Sequence, residues 1–253
     1  MSLEIITNKL EIPQVHPNQF PDLVEFMKMP HNDLPVSLYE EYYQLATELG
    51  YPALKNYFNI QTLDKNGRID DETGRTMSRS MLRNEWNNML KQAAAVYKTL
   101  DTTFGSGLLS FKTITGVVVA TGSLFLGSIT GGLSSVDYGL VVGRNNTAVT
   151  FNDYKLGTIC AEGIGANQLN YQAGVAPTFS WSAGNMEFTC RHIRYANNNS
   201  AGNIDLVESG LIGYSSVGGY TCLIIRDVFA TKTVNIGGQV KMIYDLISNT
   251  FPE

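Results

Sequence analysis

Cys190 and His192, a thiol and an imidazole two positions apart in "EFTCRHIRY", are the residues best suited by type to covalent chemistry. In a β-strand, positions i and i+2 point the same way, roughly 6–7 Å apart. A Cys–His dyad needs hydrogen-bond contact and donors aimed at an oxyanion. No recognisable oxyanion loop stands near the pair, so it reads as part of a packed strand face. His16 and His31 lie far from His192, and no metal-ligand spacing emerges. Asp70–Asp71–Glu72 and Glu40–Glu41 are adjacent acids of the kind that sit solvated, whereas glycosidase chemistry needs carboxyls facing across a cleft. "DKNG" at 64–67 has the start of a calcium loop, but Arg68 and Arg75 occupy its fifth and twelfth positions, so it reads as a turn. "GIGANQ" at 163–168 lacks the strand–Gly–helix frame of a dinucleotide site. The chain is therefore read as a non-enzyme with no cofactor and no metal.

A different pairing comes from "ESGLIGYSSVGGYTCLIIRDVF" at 208–229, where two apolar runs flank a small polar turn. Folded as a hairpin about 215–219, this stretch brings Glu208 and Arg226 roughly level. A buried Arg–carboxylate pair there would fix strand register. Arg226 and Asp227 are consecutive and point to opposite faces, so they have separate roles. Tyr171, Trp181, Tyr214 and Tyr220 are candidate surface aromatics. Two or more of them exposed in one groove would suit a carbohydrate- or receptor-binding module.

The elements that must position these residues fall into three parts. Residues 1–58 hold six of the eight prolines and read as an arm with short helices, one opening with Ser37 and Glu40 as a capping box. Residues 59–104 hold an Asn66–Gly67 hairpin signal and then a long amphipathic helix over 78–104. Residues 105–253 alternate strand and turn, as in a mainly antiparallel β-sandwich. The expected class is therefore α+β. The uncharged run 113–136 is long enough to span a bilayer, but it holds five glycines and reads as two strands around a turn.

Composition narrows the choice further. Charged residues make up only 16% of the 253, against a typical quarter, which suits surfaces that face other subunits. A net charge of −5 argues against a nucleic-acid-binding surface. Cys160, Cys190 and Cys222 fit neither a zinc site nor a disulfide framework and read as reduced, mostly buried residues. The first residues, "MSLEIITNKLEI", carry no secretory signal pattern, so the sequons at Asn145 and Asn198 mark polar turns.

The order of several short motifs over 138–246 resembles structural proteins of tailed bacteriophages. The matching residues are Thr147, Thr150, Asp153, Tyr154 and Leu156; Asn198 and Ser200; Glu208, Gly210 and Leu211; Arg226, Asp227 and Val228; and Val234, Gly237 and Tyr244. The chain departs from that pattern at Ala201, inserted in the turn, and at Ser209, where an apolar residue is expected. The resemblance implies a virion component made in the host cytoplasm. It would form a homo-oligomer in the neck, the tail or on the capsid, contacting other virion proteins but neither nucleic acid nor membrane.

Overall fold

The computed structural model describes residues 54–78, 110–120, 129–150, 152–185, 187–215 and 218–249, with single positions 82 and 84. The strands are β1 (Leu54–Leu63), β2 (Ile69–Glu72), β3 (Thr76–Met77), β4 (Ser110–Lys112), β5 (Val118–Ala120) and β6 (Gly139–Gly143). They continue with β7 (Asn170–Tyr171), β8 (Val175–Ser182), β9 (Glu187–Asn197), β10 (Ile204–Tyr214), β11 (Thr221–Val234) and β12 (Gln239–Ser248).

The α+β expectation is overturned, because the described residues are almost wholly β and hold no helical element. The expected arm before position 54 lies outside the described residues. So does the expected long helix, apart from positions 78, 82 and 84. β1 runs across position 58, into the end of the segment read as arm. Its alternate residues Asn56, Phe58, Ile60 and Thr62 are buried, which is the two-residue period of a strand. The prolines upstream masked that period in the sequence.

Two antiparallel sheets form the body. The larger, seven-stranded sheet has the order β2-β1-β12-β9-β7, with β3 on β1 and β8 on β9; the smaller has the order β11-β10-β6. β12 is central, running from Gln239 opposite Leu63 to Ser248 opposite Leu54 on one side, and pairing with β9 on the other. The uncharged run opens with the Thr113–Val117 turn and β5, which pairs with β4 just before it as a hairpin; its residues 121–128 lie outside the described ones. "AVTF" at 148–151 is not a strand in its described residues. "KTVNI" at 232–236 is largely the far end of β11.

The two sheets are fastened by aromatic and polar contacts between their facing sides. Phe58 of β1 lies 6.1 Å from Phe229 of β11 and 6.0 Å from Tyr244 of β12, ring centre to ring centre. The Tyr244 hydroxyl reaches Ser209 of β10 at 2.6 Å. Tyr171 of β7 is fully buried, with its hydroxyl 3.4 Å from the backbone of Val142 in β6.

The smaller sheet is covered on both faces. β6 is buried throughout, β10 without a break from Glu208 to Gly213, and β11 from Cys222 to Asp227. A sheet with one wet face would alternate instead. The larger sheet covers one side and residues 144–158 cover the other. This double cover explains why the two runs of the hairpin are so apolar.

Arg194 of β9 fixes the segment leading into β6. It is fully buried, and its guanidinium donates to the carbonyls of Gln172, Tyr138, Leu140, Gly132 and Ser135 at 2.5–3.3 Å. A charge that far from water needs its donors satisfied, and here backbone carbonyls do it. Replacing Arg194 with Met strands several buried carbonyls. The expected loss is about 3 kcal/mol or more in urea unfolding, and a loss within about 0.5 kcal/mol would contradict this role.

Candidate functional site

The buried polar groups of the smaller sheet form the candidate site, and its centre is Arg226. Opposite Arg226 in the β10–β11 ladder stands Gly210, so Glu208 lies diagonally across on the same face. Arg226 Nε donates to Glu208 Oε2 at 2.9 Å, Nη1 to Asp153 Oδ2 at 2.6 Å, and Nη2 to the Thr147 carbonyl at 3.1 Å. Glu208 is fully buried and takes three backbone N–H groups besides: Asn145 at 3.1 Å, Gly157 at 3.0 Å and Thr158 at 2.8 Å. Asp153 also accepts from the Thr150 amide and hydroxyl, at 3.1 and 2.8 Å. The structure thus brings Glu208 and Arg226 together and adds Asp153, Thr147 and the 144–158 segment around them.

Two glycines give this cluster its room. A Cβ on Gly143, which faces Glu208 from β6, would lie 2.5 Å from Glu208 Oε1. A Cβ on Gly210 would lie 2.6 Å from the Leu156 side chain. Neither approach tolerates a larger residue without displacing the segment that covers the sheet.

On the opposite face of β11, Asp227 has very different company. Its carboxylate accepts from the Ser78 hydroxyl, 2.8 Å from both oxygens, and from the Tyr244 hydroxyl at 2.9 Å. Ser209 continues the chain through Tyr244. A polar residue at 209 is therefore the end of a hydrogen-bonded relay between the sheets, where an apolar side chain was expected. Asp227 has no ion pair among the described residues, and burial pushes its pKa up to about 6 against the pull of Ser78 and Tyr244. Asp245 on β12 is the contrast. Burial alone would raise its pKa, but Arg191 at 2.7 Å and Arg75 at 3.3 Å bring it below the usual value.

Cys190 and His192 do meet, with Sγ and Nε2 3.1 Å apart. Burial pushes the thiol up to about 11 and the imidazole down to about 4, so both are neutral at pH 7. A thiolate–imidazolium nucleophile is the reverse of this state. His192 Nδ1 is buried without a partner, so nothing orients the ring as a base. All three cysteines are free. No three potential metal ligands cluster among the described residues. The "DKNG" turn closes on itself, as Asp64 accepts from the amides of Asn66 and Arg68 at 2.7 and 2.9 Å.

The four candidate surface aromatics are not one set. Tyr171 is fully buried in the core, because its short strand is drawn under β6. Tyr214 is half-buried beside Tyr138, with ring centres 5.8 Å apart. Trp181, on β8 of the larger sheet, and Tyr220, before β11 of the smaller one, are exposed. Arg194, Ser78 and Asp153 are the polar residues whose roles sequence reasoning missed. For Arg194 the available signal was its place on the inward face of β9, in phase with His192 and Ala196.

No protein-family model matches the chain, and neither does any curated protein or solved structure.

Two outcomes follow from the buried charges. Arg226→Met leaves Glu208 and Asp153 without their cation and costs about 3–5 kcal/mol in urea unfolding. Adding Glu208→Gln to Arg226→Met costs less than the sum of the single changes, and strict additivity would contradict the coupling. For Asp227 the folded pKa lies above that of the unfolded chain, so its ionisation destabilises the fold. That cost is fully present at pH 8 and is relieved as pH falls through about 6 towards 4. The stability of Asp227→Asn relative to the native chain should therefore rise by on the order of 1–2 kcal/mol from pH 5 to pH 8. A flat difference across that range would show that Asp227 is not a strained carboxylate.

Proposed function

We propose that this chain is a structural component of a tailed-phage virion, built to assemble into a symmetric oligomer in the neck, the tail or on the capsid. The observation that carries the reading is where the residues of the phage resemblance fall. Thr147, Thr150 and Asp153, at the surface, join the buried Glu208–Arg226 pair in one hydrogen-bonded cluster; Asp227 and Tyr244 make a second, buried one. Asn198 and Ser200 tie the β9–β10 turn to the end of β11, Asn198 Nδ2 donating to the Val234 carbonyl at 2.9 Å. Shared motifs of this kind hold loops in place, as an assembly module requires. The neutral Cys190–His192 pair and the low charged content of the chain, 16%, support the same reading. Of the aromatics named for a carbohydrate- or receptor-binding module, Tyr171 is in the core, Trp181 is exposed on the larger sheet, and Tyr214 and Tyr220 stand at one end of the β10–β11 hairpin.

The activity in this account is association itself, with a stable interface burying well over ~1,000 Å² in total. Light scattering on the purified full chain should give one discrete multimer at a fixed ratio to the monomer mass. A monomer at the highest soluble concentration would contradict the proposal.

A further inference from the structure

We propose that the cavity beside β11 binds an organic cation, with an alkylammonium head held by Asp227 and an apolar body against Phe58 and Phe229. This goes beyond the assembly reading and does not depend on it. The cavity holds about 450 Å³ and lies between β11 and the β1–β3 side of the larger sheet. That size falls in the range of small-molecule sites. Phe58, Met77, Val149 and Phe229 supply apolar wall, and Asp227 is part of the lining.

The charge pattern selects the occupant. Glu208 and Asp245 are buried carboxylates matched by arginine, whereas Asp227 is met, among the described residues, by hydroxyls. The neighbouring charges among the described residues are accounted for. Arg226, next in the chain, points to the other face and is bound to Glu208 and Asp153. Lys232, at the cavity wall, pairs with Asp71 at 2.8 Å. Glu72, also at the wall, is a second acid, held by Asn59 and Gln61. β10 and β12 present only Ser209 and Tyr244 to this point. A buried carboxylate without a cation is costly, and an ionised one accepts up to about four hydrogen bonds, more than Ser78 and Tyr244 supply. The ring of Phe58, flanked by Phe229 and Tyr244, offers the aromatic faces that attract ammonium groups.

The test is calorimetric titration of the full chain at pH 8 with n-butylammonium chloride and, separately, with 1-butanol, its neutral counterpart in shape. The salt should bind saturably and at least about tenfold more tightly than the alcohol. At pH 5 its affinity should fall roughly tenfold, because Asp227, at about 6, is then mostly protonated. Asp227→Asn should abolish binding. Ala148→Trp, which fills the cavity wall and leaves Asp227 in place, should abolish it too. Equal affinity for the two probes, no saturable binding of the salt, or affinity unchanged at pH 5 would overturn the proposal. The two-probe comparison on the native chain decides it even where a variant fails to fold. A monomeric chain that still binds the salt would overturn the assembly reading alone.

Discussion

Arg226 is a guanidinium buried between a sheet and its cover, and much of the smaller sheet's surroundings follows from satisfying it. The charge is fixed, because arginine does not deprotonate in proteins. Its donors reach Glu208 within the sheet and Asp153 and Thr147 outside it. Those last two lie in a segment with no regular structure of its own, so the ion pairs and the amides gathered by Glu208 must hold it down. With that segment in place, the outer face of β10, β11 and β6 is dry, and the apolar runs of the hairpin are buried on both sides. Gly143 and Gly210 stand where any side chain would collide with the arrangement.

The buried carboxylates divide by what neutralises them. Glu208 is matched by an arginine and three amides, and Asp245 by two arginines. These are architectural, since truncating one partner leaves the other charged and dry. Asp227 is satisfied by hydroxyls but not neutralised, and it stands beside open space. Protein architecture alone gives no reason to keep a charge there. Among the described residues Asp227 is the buried carboxylate left without a cation, and the proposed organic cation would supply one.

The Glu208–Arg226 contact was legible because both residues sit on one apolar hairpin with an obvious turn. Its geometry was less so: a bulge between Leu211 and Ile212 puts Gly210 opposite Arg226 and Val228 opposite Glu208, which makes the pair diagonal rather than level. Asp153 could not be seen from local pattern, since 73 residues separate it from Arg226. The β-rich second half showed in its short alternating runs and Gly-marked turns. β1 was hidden because prolines just upstream suggested an irregular arm, although its own inward residues alternate cleanly. Tyr171 looked like a surface aromatic because its strand is two residues long, too short to display a period. Its burial is a consequence of tertiary packing under β6.

The most direct test of the central role given to Arg226 and Glu208 is native-state hydrogen exchange at three amides, those of Asn145, Gly157 and Thr158. Each lies in the irregular cover and donates to Glu208. They should exchange as slowly as the ladder amides of β10, opening only when the sheet itself unfolds. Exchange at the rate of an unprotected loop, with β10 still protected, would show that the cover opens independently and that the buried ion pair does not hold it.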